Sequence, residues 1–219
     1  MKEQRRDRLR LEISREASRL FWEQGVDATS GDQIAEAVGL STRTIWRHFR
    51  SKESCAEPIV TQGVEWEMRT LRDWPAGLSL EERFSAEASR FRHEADAVEM
   101  ADTGLAMRMI RLADTEPPLR TAWLMACDQV EREMVEIIAK RLGLPADDLQ
   151  VRLHAAAASA AFRVLSEHIG AVALCGDIPE DFEGDVIRRL AQAVRDATGG
   201  AIGDVIAPDV AEPATASLK

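Results

Sequence analysis

Apolar residues recur at helical spacing along almost the whole chain. Ile13, Ala17, Leu20 and Phe21 fall on one face of a first helix, which Gly25 can end because glycine accepts left-handed dihedrals. Ser30 predicts the cap of a short helix containing Ile34, Ala35 and Val38, stopping at Gly39. Ser41 predicts the cap of a third helix, with Ile45 and Phe49 as its inward pair. A fourth helix starts at Ser51, with Pro58 expected to bend or interrupt it. After a break at Trp74-Pro75-Ala76-Gly77, the pair Ser79 and Glu82 reads as a capping box that opens a helix to about Ala95. Residues 99–113 are apolar nearly all round, as expected of a buried helix. Pro117-Pro118 opens the next helix and Gly143 closes it. Asp147 or Asp148 starts a long helix reaching Leu174, and after Pro179 a last one carries Val186, Ile187, Leu190, Ala191 and Val194 as a stripe. No run has the alternation of a strand, so the expected fold class is all-α with about nine helices.

From Gly199 the residues turn small and polar, and 199–219 is expected to be a disordered tail. The 219 residues are 45% hydrophobic and 30% charged, the balance of a folded chain. The net charge is −10, but residues 1–52 hold eleven basic against eight acidic groups, leaving −13 on the remainder. An acidic body repels a polyanion, so any such partner is expected to meet the N-terminal quarter first. Cys55, Cys127 and Cys175 form no framework and are expected as reduced thiols in a cytoplasmic protein. The N-terminus lacks the apolar region of a signal peptide, and the run Ala155–Leu174 carries Arg163, Glu167 and His168, which argue against a membrane span. There is no G-x-S-x-G, phosphate loop or H-E-x-x-H, and His93, His154, His168 and Cys175 give no metal spacing. No enzyme activity, cofactor or metal is expected.

The informative segment is Asp32 to Lys52. Gly39-Leu40-Ser41 separates two short helices: glycine reverses the backbone, leucine fills the angle and serine caps the second helix. That is the chemistry of a helix-turn-helix, whose second helix must project free of the body to enter a major groove. With Ile34, Ala35, Val38, Leu40, Ile45 and Phe49 inward, the outward positions are Thr42, Arg43, Trp46 and Arg47.

The wording of residues 10–57 resembles the TetR family of bacterial transcriptional regulators. The resemblance is carried by Phe21, Gly25, Thr29 or Ser30, Ile34-Ala35, Val38-Gly39-Leu40-Ser41, Thr44-Ile45-Trp46, His48-Phe49 and Ser51-Lys52-Glu53. Arg43 stands where many members have glycine, and Trp46 where tyrosine is usual. The resemblance implies a helix-turn-helix DNA-binding domain at 1–55 and an effector-binding and dimerisation domain at 56–198. It implies a homodimer on a pseudo-palindromic operator of double-stranded DNA, with recognition helices about 34–36 Å apart.

The candidate DNA-binding residues are Ser30, Ser41, Thr42, Arg43, Thr44, Trp46, Arg47, His48 and Lys52. Arg43 and Arg47 have the fork that matches guanine O6 and N7, with phosphate contact or solvated surface as the alternative. Ser41 and Thr44 offer hydroxyls to phosphate, Ser41 equally as a simple cap. Trp46 can lie along the backbone, and His48 resembles the family's phosphate-contacting histidine. Lys52 beside Ser51 opens a helix whose N-terminus favours an anion, and Lys2, Arg5, Arg6 and Arg8 can form a basic arm.

Dimerisation is expected to use the last two helices, through Ala155–Ala158, Ala160, Ala161 and the 186–194 stripe. Members of the family commonly hold a small molecule among the middle helices. Candidate effector-pocket residues are Trp66, Phe84, Phe91, Met100, Met107, Arg108, Arg111, Trp123 and Phe162. Arg108 and Arg111 on an apolar helix need anions, either Asp114 and Glu116 or an acidic ligand, so the expected effector is apolar or anionic. The expected function is a repressor released by that effector. The alternatives are a DNA-binding regulator without an effector, or an all-helical enzyme or interaction protein that happens to contain such a hairpin.

Overall fold

Ser30, Ser41, Ser79 and Asp96 each cap a helix start with a side-chain oxygen. The structure is a computed structural model that describes residues 2–175 and 181–206. Its helices are α1 (Lys2–Gln24), α2 (Gly31–Ala37), α3 (Thr42–His48), α4 (Glu57–Arg72), α5 (Leu80–Glu94), α6 (Ala97–Leu112), α7 (Pro117–Leu142), α8 (Leu149–Cys175) and α9 (Phe182–Ala197), with a 3-10 turn at Glu53–Ala56. The described residues contain no strand. Capping boxes form at Ser30 with Gln33 and at Ser79 with Glu82, each satisfying otherwise orphaned backbone N–H groups at both ends of the exchange. Gly143, at φ +65°, ends α7 in the left-handed cap that residues with a Cβ adopt only under strain.

Pro58 does not break α4. It sits in the first turn, where its missing N–H costs no helical bond, and the next N–H, on Ile59, donates 3.0 Å to the buried Ser14 Oγ of α1. One apolar core runs from Ile13, Phe21 and Ile34 through Ile59, Met68 and Leu80 to Trp123, Phe162 and Leu190. Within it α1 packs on α4 and α6, and α7 packs on α4 and α8.

Three expectations change. The α6 helix is not buried all round: Ala106, Met109 and Ile110 face inward, whereas Val98 and Met100 are more than half exposed. The α9 stripe of Ile187, Leu190, Ala191 and Val194 is buried within the chain against α5 and α8, so it is already spent. On α8, Ala155 and Ala158 also face inward, leaving Leu149, Leu153, Ala160 and Val164 exposed. Finally, residues 199–206 are not a loose tail. Ile202 is buried, Leu80 N–H donates to Gly203 O at 2.8 Å and Ile206 N–H donates to Ala76 O at 2.9 Å, tying the segment to the start of α5. Residues 207–219, Pro179 and the side chains of Lys2 and Cys175 lie outside the described residues. No described helix is long and apolar enough to cross a membrane.

Candidate nucleic-acid interface and effector domain

Two short helices have too little length to hold an angle by packing alone, so their polar termini do much of the fixing. Gly39, at φ +65°, reverses the chain after α2, and Leu40 N–H closes back on Ala35 O at 2.9 Å. Ser41 Oγ accepts from Thr44 N–H at 3.2 Å and lies 2.8 Å from Thr44 Oγ1, so both hydroxyls serve the cap of α3. Thr42 Oγ1 donates to Asp32 Oδ1 at 2.5 Å, joining α3 to α2. Ile45 and Phe49 are buried beneath α3, and Arg43, Trp46 and Arg47 are exposed on its outer side. This is the flank that the sequence places outward.

Other candidates are already engaged. Ser30 caps α2. Lys52 Nζ donates to Val26 O at 2.7 Å and Asp27 O at 3.3 Å, tying the turn after α3 to the α1–α2 loop. Ser51 and Ser54 exchange backbone and hydroxyl bonds there, so the expected anion site at Ser51 and Lys52 is filled by the chain's own groups. His48 is half-buried with an unpartnered, shielded Nε2. Burial, then Arg47, Arg6 and Arg10, hold its pKa below the ordinary imidazole value, so it is neutral at neutral pH. Arg5, Arg6 and Arg8 are exposed on the first turns of α1 and extend that helix instead of forming a separate arm.

Two contacts were invisible in the motif. Arg10 donates to His48 O at 3.2 Å while its guanidinium lies 4.9 Å from the Phe49 ring, clamping the end of α3 to α1. Trp46 lies against Gly31, where an added Cβ overlaps the indole as it sits. A small residue opening α2 was the available signal for the second; nothing in the spacing indicated the first.

The helix-turn-helix joins the body through α1. Arg15 makes a bidentate pair with Asp102 of α6, with distances of 2.7 and 2.8 Å, and Asp102 is buried. Such a fork fixes orientation as well as distance. Two turns further along α1, Arg108 of α6 lies 5.7 Å from the Trp22 ring, with its Nε unpartnered.

Of the predicted pocket residues, four come together. Trp66 meets Phe84 and Phe91 edge-on, with centroids 5.8 and 6.4 Å apart, and Phe84 lies 5.6 Å from Phe162. Met107 is half-buried where the α6 backbone passes Gly170 of α8. The others lie elsewhere. Met100 is on the exposed face of α6, and Arg111 pairs with Asp114 at the surface. Arg108 faces Trp22 of α1. Trp123 is core: fully buried, it donates from Nε1 to Glu167 Oε1 at 2.9 Å. Burial works to raise the Glu167 pKa, but Trp123, Arg120 and Arg163 outweigh it and hold the carboxylate below its usual range.

Sequence reasoning also missed Glu67 on α4, which accepts from Ser166 Oγ of α8 at 3.0 Å. Burial pushes its carboxyl up to about 7 against the pull of that hydrogen bond. A separate groove of about 210 Å³ runs between α4 and α7 over Val64, Met68, Ala126 and Met125, and none of the predicted pocket residues lines it. Cys55 and Cys127 are free thiols, each pushed up to about 12 by burial, and so hold little thiolate. The described residues contain no cluster of three metal-ligating side chains.

Residues 13–59 match the profile of bacterial regulatory proteins, tetR family, and residues 88–198 match that of the MftR C-terminal domain. The chain is 36% identical over 145 residues to the HTH-type transcriptional regulator TcmR of Streptomyces glaucescens, over 64% of this chain and 63% of that protein. The match thus spans a little under two thirds of that relative. Salmonella enterica GusR shares the fold at 18% identity and a TM-score of 0.54, over 88% of this chain and 94% of that one. Thermus thermophilus FadR, a TetR-family repressor in complex with lauroyl-CoA, shares it at 20% identity and a TM-score of 0.52, over 91% and 98%.

Proposed function

This chain belongs to the tetR family of bacterial regulatory proteins, and from that premise we propose that it is a homodimeric DNA-binding repressor which leaves its operator when a small effector enters the body. The observation that carries the reading is the outer flank of α3: Arg43, Trp46 and Arg47 stand exposed over a buried Ile45 and Phe49. A rigid, projecting, basic helix is what a major groove admits. The +3 charge of residues 1–52 against the acidic remainder turns the same end toward DNA.

The α8 face supports the dimer. Leu149, Leu153, Ala160 and Val164 recur at steps of four and seven residues toward solvent, an apolar stripe suited to its own two-fold copy. The two α3 helices then meet two half-sites about 34–36 Å apart. Lys52, Ser30 and Ser41 support the shape of the interface, while Arg43 and Arg47 read it. Thr44 sits beside the phosphates, and His48, its Nε2 shielded, belongs to the support.

The aromatic cluster of Trp66, Phe84, Phe91 and Phe162 supports a ligand-holding body, and the Arg15–Asp102 fork offers a path from α6 to the DNA-binding unit. A ligand releases DNA only by favouring one arrangement of these parts over another. The reading is of a regulator, with no catalytic step assigned.

Selection from a random duplex pool by the full chain tests the proposal. It predicts recovery of a two-fold symmetric site bound by a dimer. Recovery of sequences without symmetry, or binding by monomers, contradicts it.

A further inference from the structure

The groove between α4 and α7 is floored by Val64, Met68, Ala126 and Val130, all buried, and walled by Met125, which is 59% exposed. Its volume of about 210 Å³ compares with the roughly 150 Å³ of a dry apolar cavity that holds a benzene ring, so a ring with a substituent fits. A methionine wall adapts to the outline of what it touches. The aromatic cluster lies elsewhere: none of Trp66, Phe84, Phe91 and Phe162 lines the groove.

Among the described residues, every charged side chain lining the groove is a glutamate: Glu57, Glu65 and Glu133. Their counter-ions come from outside the lining. Arg50, in the turn after α3, pairs with Glu57, whereas the single Arg72 serves both Glu65 and Glu133, at 2.6 Å from each. Three carboxylates against two guanidiniums leave one negative charge in excess, on the side where the cation is shared. There Glu133 Oε2 takes both Arg72 bonds, and Oε1 accepts only the Gln129 amide, at 3.3 Å. A carboxylate oxygen has two lone pairs, so Oε1 has room for a further donor. The side chains of Glu65 and Glu133 are 39% and 28% accessible, partly shielded from the screening that fully exposed charges meet. The −13 charge of the chain beyond residue 52 adds a field of the same sign.

We propose that the α4–α7 groove is the effector site, and that it takes a small apolar molecule bearing a protonated amine. The hydrocarbon part lies over Val64, Met125 and Ala126, and the ammonium donates to Glu133 and Glu65. An anionic group in the groove meets carboxylates on its lining, and a neutral one leaves their excess charge uncompensated. This rests on the reading of the body as an effector domain and gives that domain a ligand class. It replaces the expectation of an anionic ligand, which stood on Arg108 and Arg111; neither lines the groove, and they face Trp22 and Asp114.

Three probes with one hydrocarbon frame test it on the full chain: 4-tert-butylbenzylamine, neutral 4-tert-butylbenzyl alcohol and anionic 4-tert-butylbenzoate. Each is titrated by calorimetry, with release of the selected operator duplex as a parallel readout. The native chain is expected to prefer the amine over the alcohol by about fivefold at low salt, with the margin shrinking as salt is added. The double variant Glu65→Gln, Glu133→Gln leaves Arg72 without its carboxylates and turns the excess from one negative to one positive charge. Its preference is expected to reverse toward the carboxylate, a result that misfolding cannot produce. Thr61→Phe, at an exposed position on the rim, is expected to weaken all three probes. An amine bound no tighter than the alcohol by the native chain, or an amine preference unchanged in the double variant, overturns the ligand class. Binding untouched by Thr61→Phe overturns the site. If no probe binds, yet a small-molecule cell extract releases the operator equally from the native chain and Thr61→Phe, the groove assignment falls and the effector reading stands. Failure of probes and extract alike counts against both.

Discussion

Trp46, the outward aromatic of α3, lies across the backbone of Gly31 at the first turn of α2, so closely that a Cβ at position 31 overlaps the indole carbons Cζ2 and Cη2. The glycine therefore sets where the indole sits on the candidate DNA-facing surface. Gly31→Ala removes that seat while improving helix propensity. Stability is expected to move by less than about 1 kcal/mol, because the two effects oppose each other and Trp46 can swing into solvent. Affinity for the operator is expected to fall by about tenfold. Denaturation and gel-shift titrations on the same samples separate the two quantities.

Arg47→Ala distinguishes reading from holding. If the guanidinium meets a base edge, operator affinity falls by about 1–3 kcal/mol and random duplex binding falls much less. Equal losses on both duplexes assign Arg47 to phosphate. The same comparison applies to Arg43, one of the two positions at which this chain departs from the family pattern.

The Arg15–Asp102 fork is asymmetric in exposure, with side chains 31% and 8% accessible. Removing Arg15 strands a buried carboxylate; removing Asp102 leaves an arginine that can turn to water. Arg15→Ala is therefore expected to cost about 3 kcal/mol of stability. Asp102→Asn is expected to cost only about 1 kcal/mol, since the arginine it leaves is solvated. Urea midpoints check the order. Equal costs contradict the asymmetry.

Glu67 makes stability depend on pH in a defined direction. Burial raises its folded value to about 7, while the unfolded chain keeps the ordinary 4.5. Between those values the folded state binds more protons, so stability falls as pH rises from about 5 through 8 and levels off above. The loss assigned to this group is at most about 3 kcal/mol. Glu67→Gln should remove this component, giving a variant that gains on the native chain as pH increases. Melting curves at several pH values test the sign.

Leu153, 60% exposed in the middle of the α8 stripe, is the place to break the proposed dimer. Leu153→Arg is expected to yield folded monomers in sedimentation velocity and to lose operator binding cooperatively. An intact dimer moves the interface elsewhere.

Much of this architecture was legible from local chemistry. Ser30 with Gln33, Ser41 with Thr44, and Ser79 with Glu82 act within one helical turn, so their spacing alone locates the helix starts. The outward flank of α3 followed from Ile45 and Phe49 for the same reason. What was illegible depends on which elements meet. The α9 stripe is equally suited to its own chain or to a partner, and only the packing of α5 and α8 assigns it inward. Lys52 reads as a phosphate ligand until its ammonium is seen on the Val26 and Asp27 carbonyls, 26 and 25 residues away. Ile202 looks isolated among small residues, yet three turn glycines around it carry the chain back to α5. Glu67 is one acidic residue among many in sequence, and its bond to Ser166, 99 residues on, appears only in the folded chain.

The proposed function requires two copies of α3 to insert their Arg43–Trp46–Arg47 flanks into one duplex. Hydroxyl-radical footprinting of the selected site, with the native chain and the Arg43→Ala, Arg47→Ala double variant, tests it most directly. The expected result is two protected half-sites on one side of the helix, with centres about 34–36 Å apart, both lost in the variant. A single continuous footprint, or protection unchanged by the double substitution, contradicts it.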